Sequence, residues 1–144
     1  MSNQNSAEHP IYLDTSRPRE ERVKDLISRL TLEEKVGLMS HPTNGIPRLN
    51  IPAYNYWNEA LHGVARNGRA TVFPQAIGLA ATWDSTLMNK VATAIAKETQ
   101  QRGIRQILSP VVNLASDVRW GRTEETYGED PVLSAAMGIA FVRA

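Results

Sequence analysis

Between Arg119 and Pro131 the chain reads RWGRTEETYGEDP. Arg119 and Arg122 stand there among Glu124, Glu125, Glu129 and Asp130, with Trp120 and Tyr127 between them. A guanidinium presents a planar fork of donors, and a carboxylate accepts hydrogen bonds in pairs. The vicinal hydroxyls of a sugar match both, and an indole can cover the apolar face of a pyranose. The chemistry that fits this composition is the holding of a sugar ring. Paired carboxylates are also the tool of glycoside hydrolysis, but spacing alone selects no pair from four acids. The plain structural reading is an Arg–Glu lattice that pins a loop, with Glu125 and Glu129 favoured by a helix dipole. Composition leaves both readings open.

A second polar block, WNEALHGVAR, runs from Trp57 to Arg66 and offers Glu59, His62 and Arg66 as ligand contacts. His62 fits a base, a metal ligand or a hydrogen-bonded structural residue. No second histidine or aspartate stands at ligand spacing, so no metal and no cofactor is expected. Gly63, Gly68 and Gly78 do not make a phosphate-cradling GxGxxG, which removes the nucleotide reading. The absence of cysteine excludes disulfides and thiolate chemistry. Lys plus Arg number 16 against 15 Asp plus Glu, a net charge of +1. That balance gives no electrostatic case for nucleic acid or an anionic membrane as partner. The polar start, MSNQNSAEHPIYLD, is no secretory signal as written. No stretch approaches the roughly 20 apolar residues of a membrane span. The compartment is left unknown, with the cytoplasm as the default.

The elements that must position these blocks follow from periodicity. Residues 1–14 read as a loose tail and residues 15–144 as part of one domain. Val23, Leu26, Ile27 and Leu30 mark one face of a helix, with Pro18 in its first turn. Thr31 and Glu34 form a capping-box pattern that starts a short helix to about Met39. Strands are expected at 51–57, 76–82 and 107–114, the last interrupted by Pro110. Asp84 or Ser85 caps a helix that shows Leu87, Val91, Ala94 and Ile95 on one face and ends at Gly103. Asp130-Pro131 starts a last helix with Leu133, Ala136, Met137, Ala140 and Phe141 on its buried side. Strands alternating with helices predict an α/β fold of parallel βα units. About three units are present, whereas a closed (β/α)8 barrel takes about 250 residues. The chain stops at Ala144 inside the patterned helix. The expectation is an incomplete barrel.

Four blocks in fixed order carry a resemblance. They are LTLEEKVGLM, IPAYNYWNEALHGVAR, FPQAIGLAATWD and SPVVNLASDVRWGRTEETYGEDP. Together they resemble the N-terminal domain of family 3 glycoside hydrolases, of the bacterial β-glucosidase and β-xylosidase type. The likeness covers the chain from about Ile11 to Ala144. It implies the N-terminal portion of a TIM-like barrel and a retaining mechanism on a β-linked glucoside or xyloside. It also implies that the nucleophile aspartate, the acid/base glutamate and a sugar-gripping Lys-His pair lie beyond residue 144, so no catalytic residue is assigned here. Arg122 is similar to the family arginine that binds sugar hydroxyls in the −1 subsite. Glu59 resembles an acidic residue on the far side of the ring, a position that is Asp in many relatives. Arg66 resembles a second pocket arginine at a spacing that differs by one. Asp117 and Tyr127 look like loop-pinning residues. Leu108 stands where many relatives carry an aromatic, and Ser116 and Val118 replace Arg and Pro of the common motif. The Leu108 departure weakens a choice of xylosidase over glucosidase. Two functional readings follow. One is the leading part of a β-glycosidase. The other is an inactive truncated or pseudogene product, at most a weak sugar-binding fragment. Neither indicates an oligomeric state.

Overall fold

The structure, a computed structural model, describes residues 10–144. Residues 1–9 of the expected tail lie outside the described residues. The chain divides into two compact units, one up to Asn55 and one from Tyr56.

In the first unit, a 3-10 turn at Ile11–Leu13 precedes helices α1 (Arg19–Arg29) and α2 (Leu32–Leu38). The Tyr12 hydroxyl donates to the Leu49 carbonyl at 2.7 Å, and the Tyr12 amide donates to Asp25 at 3.0 Å. Acidic Glu20 and Glu21 in the first turn of α1 and Arg29 in the last suit the helix dipole. The α2 capping box is complete. The Glu34 amide donates to Thr31 Oγ1 at 3.2 Å, and the Thr31 amide donates to Glu34 Oε2 at 2.8 Å. Leu30, Ile46 and Leu49 form the unit's core, with Tyr12, Leu26, Leu38 and Ile51 against it. The expected inner face of α1 is half right. Leu26 packs inward and Leu30 is buried, but Val23 and Ile27 are 47% and 49% exposed.

The second unit is built on α3 (Ala76–Ala80), α4 (Ser85–Gln101) and α5 (Pro131–Val142). Asp84 caps α4 by accepting from the Leu87 amide at 2.9 Å, and Asp130 caps α5 by accepting from the Leu133 amide at 2.7 Å. Gly103, at φ +71, closes α4 in the left-handed conformation that glycine supplies without a Cβ clash. Helices α4 and α5 pack on each other through Met88, Val91, Ala92 and Ile95 on one and Met137, Ala140 and Phe141 on the other. Each large side chain buried there stabilises the unit by roughly 1.5–3 kcal/mol. Asn89 ties the pair by donating to the Ala140 carbonyl at 2.9 Å. Leu87 and Ala136, expected on buried faces, are exposed, and Met88 and Ser134 are buried instead.

The strand expectations are corrected. Among the described residues there is no named strand, only isolated bridges at Thr43–Tyr54 and Ile46–Ile51. Of residues 51–57, Ile51 and Tyr54 take part in those bridges. Residues 76–82 contain helix α3 rather than a strand. Ala76, Leu79 and Ala80 are buried at i, i+3 and i+4, the helical period, and alanine is the best helix former. A short apolar run has the same composition whether it is a buried strand or a buried helix. Residues 107–114 form no strand, because a strand exists only through a ladder with its neighbours. The Leu108 amide donates to the Asn58 carbonyl at 2.7 Å, but no strand ladder forms on this run. Among the described residues no strand is formed to complete the expected βα units. The described residues are helices joined by extended and looped segments.

Candidate functional site

The first polar block is bonded to the run that leads into the second. Besides the Leu108–Asn58 bond, the Ala60 amide donates to Ser109 Oγ at 3.2 Å. Side chains two apart on an extended segment share a face, and Trp57 and Glu59 do so. The Trp57 indole Nε1 donates to Glu59 Oε1 at 3.2 Å. Arg66 Nε donates to the other oxygen of Glu59 at 3.3 Å. The Arg66 guanidinium lies over the Trp57 ring, 5.0 Å from its centroid, a distance at which the ring quadrupole attracts the cation. The Ala65 amide turns the chain back by donating to the Glu59 carbonyl at 2.9 Å. The Arg66 backbone sits at φ +61, a conformation that a non-glycine residue holds only when its surroundings impose it.

The second block is closed at its base by the Ala115 amide, which donates to the Gly128 carbonyl at 3.0 Å. A 3-10 turn at Thr123–Glu125 carries Glu125 back to Arg122. Arg122 Nε lies 3.0 Å from both Glu125 oxygens, and Nη2 donates to Oε2 at 2.6 Å. Asp117 holds Arg119 in the same way, with Nη2 to Oδ2 at 2.6 Å. Tyr127 is 2% exposed, and burial pushes its phenol up to about 12.

Electrostatics joins the two blocks. The Arg122 guanidinium is held more firmly protonated, first by Glu125 and further by the charges of Glu59 and Glu124. Glu59 thus pairs with Arg66 and its charge also acts on Arg122, and the side chains of Arg66 and Arg122 are 63% and 58% exposed. Arg122 holds Glu125 below the usual carboxylate range, and Arg119 does the same to Asp117. A general acid needs the opposite shift, so neither Glu125 nor Asp117 is suited to protonate a leaving group. His62 is engaged structurally. Its Nδ1 lies 2.7 Å from the Phe73 carbonyl, and since a carbonyl only accepts, Nδ1 carries the proton. Sequence reasoning missed Trp57 as the floor under Arg66. The two-residue spacing of Trp57 and Glu59 was the available signal.

The family model for the glycosyl hydrolase family 3 N terminal domain matches residues 31–144. The chain belongs to glycosyl hydrolase family 3. This family 3 chain is 41% identical to the probable beta-D-xylosidase 7 of Arabidopsis thaliana, covering 92% of itself and 19% of that protein. It superposes on a GH3 exo-beta-xylosidase, solved in complex with a xylobiose aziridine activity-based probe, with a TM-score of 0.81 at 31% identity. That match covers 91% of this chain and 19% of the other. It also superposes on beta-glucosidase 3B of Thermotoga neapolitana, solved in complex with alpha-D-glucose, with a TM-score of 0.70 at 32% identity. There the cover is 84% of this chain and 21% of the other. The family 3 chain therefore spans about a fifth of the length of these relatives.

Proposed function

We propose that this chain forms one wall of the sugar-binding subsite of a retaining β-glycosidase, with a β-xyloside as preferred substrate and a β-glucoside as the second reading. The observation that carries it is the Glu59 carboxylate, which pairs with the exposed Arg66 beside the Trp57 indole and whose charge also acts on the exposed Arg122. The Arg–carboxylate pairs hold the guanidinium groups in place before a sugar arrives, which lowers the ordering cost of binding. In this role Arg122 and Arg66 donate to ring hydroxyls, and Glu59 accepts from them. The names of the plant relative and of the exo-beta-xylosidase favour the xyloside, and the glucose-bound relative favours the glucoside.

The nucleophile and the acid/base of this mechanism come from later segments of the enzyme, which complete an α/β barrel around the wall described here. The 144-residue chain by itself is inactive in this reading. A retaining glycosidase needs two carboxyl groups about 5–5.5 Å apart, one of them able to give up a proton. Glu125 and Asp117, locked to arginines in ionised form, do not supply that group.

The test is kinetic. In the full-length enzyme, Arg122→Ala is expected to lower kcat/KM on an aryl β-xyloside by about 100-fold, the scale of charge-assisted hydrogen bonds lost to substrate. An unchanged kcat/KM overturns the assignment.

A further inference from the structure

The loop that carries Arg66 is held at three levels. At its base the Phe73 amide donates to the His62 carbonyl at 2.7 Å, and the His62 ring returns a bond to the Phe73 carbonyl. One step in, Gly63 lets the chain pass. A Cβ on Gly63 would stand 2.2 Å from the Thr71 carbonyl oxygen, and its φ is +135. Further out, two side chains one turn apart near the end of α4 grip the returning strand of the loop. Glu98 accepts from the Thr71 amide at 3.1 Å and from the Thr71 hydroxyl at 2.5 Å. Arg102 donates through Nε to the Asn67 carbonyl at 3.2 Å and through Nη2 to the Arg69 carbonyl. Its Nη1 bonds back to the Glu98 carbonyl at 3.0 Å and lies 3.7 Å from the Glu98 carboxylate. Residues 62–73 are thus a compact surface loop with its ends together.

This grip accounts for the conformation of Arg66. A non-glycine residue at φ +61 is strained and persists only where the neighbouring chain is fixed. Asn67, Arg69 and Thr71, on the C-terminal side of Arg66, are each bonded to Glu98 of α4 or to Arg102 at its C-cap. Glu59, on the other side, receives the Arg66 guanidinium. The polar groups of Glu98 and Arg102 are spent on the loop and do not reach the sugar wall.

We propose that Glu98 and Arg102 are positioning residues for sugar recognition, acting through Arg66. By clasping residues 67–71 to α4 they fix where the Arg66 guanidinium stands against Glu59 and Trp57. The inference rests on the reading of Arg66 as a sugar contact. Loss of the clasp frees the loop, and Arg66 then has to be ordered by each substrate that binds. That cost appears in substrate affinity rather than in the chemical step.

The experiment is a double-mutant cycle in the full-length enzyme with an aryl β-xyloside and an aryl β-glucoside. Arg102→Ala is expected to raise KM about tenfold with kcat nearly unchanged, the scale of charged hydrogen bonds. Arg102→Lys, which keeps the charge and a donor, is expected to restore part of that loss. In an Arg66→Ala background Arg102→Ala is expected to change KM no further, because its effect runs through a side chain no longer present. Glu98→Gln serves as the second variant should Arg102→Ala fail to fold, with the same expected pattern. An Arg102→Ala effect of equal size in both backgrounds overturns the proposal and leaves the clasp as mere stabilisation. Normal KM in Arg102→Ala with a raised KM in Arg66→Ala also overturns it, while the sugar-contact reading of Arg66 survives. Normal KM in Arg66→Ala overturns that reading and the proposal together.

Discussion

The Arg122 guanidinium and the Glu125 carboxylate meet in a two-pronged ion pair, with Nη2 to Oε2 at 2.6 Å and Nε at 3.0 Å from both oxygens. The pair is an i, i+3 contact made by the 3-10 turn between them. The Glu125 side chain is 19% exposed and that of Arg122 is 58% exposed. Glu125 is therefore the anchored member, and Arg122 is the one presented outward. Replacing Glu125 by Gln removes the charge that fixes the fork while keeping the side chain's size. The expected outcome in the full-length enzyme is a fall in kcat/KM smaller than that of Arg122→Ala. A Glu125→Gln enzyme with normal kcat/KM would show that Arg122 needs no such anchor.

The same pair carries a pH signature. Arg122 lowers the Glu125 pKa from its ordinary value of 4.5. A carboxylate whose folded pKa is depressed contributes stability that is fully present above the unfolded value and lost as pH falls through the folded one. The contribution of Glu125 is thus intact at neutral pH and is lost as pH falls from the ordinary value of 4.5 through the lower folded value. An NMR titration of the Glu125 side-chain carbon in the 144-residue chain is expected to give a midpoint below that of an unstructured peptide. In an Arg122→Ala chain the midpoint is expected to move up toward the peptide value. Equal midpoints in the two chains would contradict the pairing.

The 144-residue chain is expected to leave nitrophenyl β-xyloside and nitrophenyl β-glucoside intact. The proposed site offers a carboxylate and arginines suited to binding rather than to proton transfer. Glu125 and Asp117, both lowered in pKa by their arginines, are poor proton donors. Turnover by the purified chain, above that of an Arg122→Ala control, would refute this.

Gly63→Ala tests the loop that presents Arg66. The added methyl would meet the Thr71 carbonyl oxygen at 2.2 Å, and alanine would have to adopt φ +135. The substitution is expected to destabilise the chain by about 2 kcal/mol or more, since strain at such a backbone position alone costs on the order of 1–3 kcal/mol. Urea unfolding of the two chains measures it. A Gly63→Ala chain as stable as the parent would mean that residues 63 and 71 do not approach each other as described.

Local chemistry was the most legible layer. Thr31 with Glu34, Asp84 before Ser85 and Asp130 before Pro131 announce helix starts, because a cap is made by residues within three positions of each other. Gly103 announces a helix end for the same reason. The strands were legible only as apolar runs. Whether AIGLA becomes helix or strand depends on what lies beside it, and ILSPVVNL becomes a strand only when a ladder forms on it.

For the proposed site, the resemblance carried by the four sequence blocks nominated Glu59, Arg66 and Arg122, and the same blocks placed the chain in its family. Pairing was decided by the tertiary structure alone. Glu59 receives Arg66 because the backbone turns back at Ala65 and Arg66 is held at a positive φ. Arg66 is held there while α4, some thirty residues further along the chain, reaches across with Glu98 and Arg102. Hydrogen bonds between residues 27 to 35 positions apart leave no period or spacing in the sequence to read. Sequence spacing reports contacts within a turn or a strand. Contacts that depend on how separate segments pack become visible only once the chain has folded.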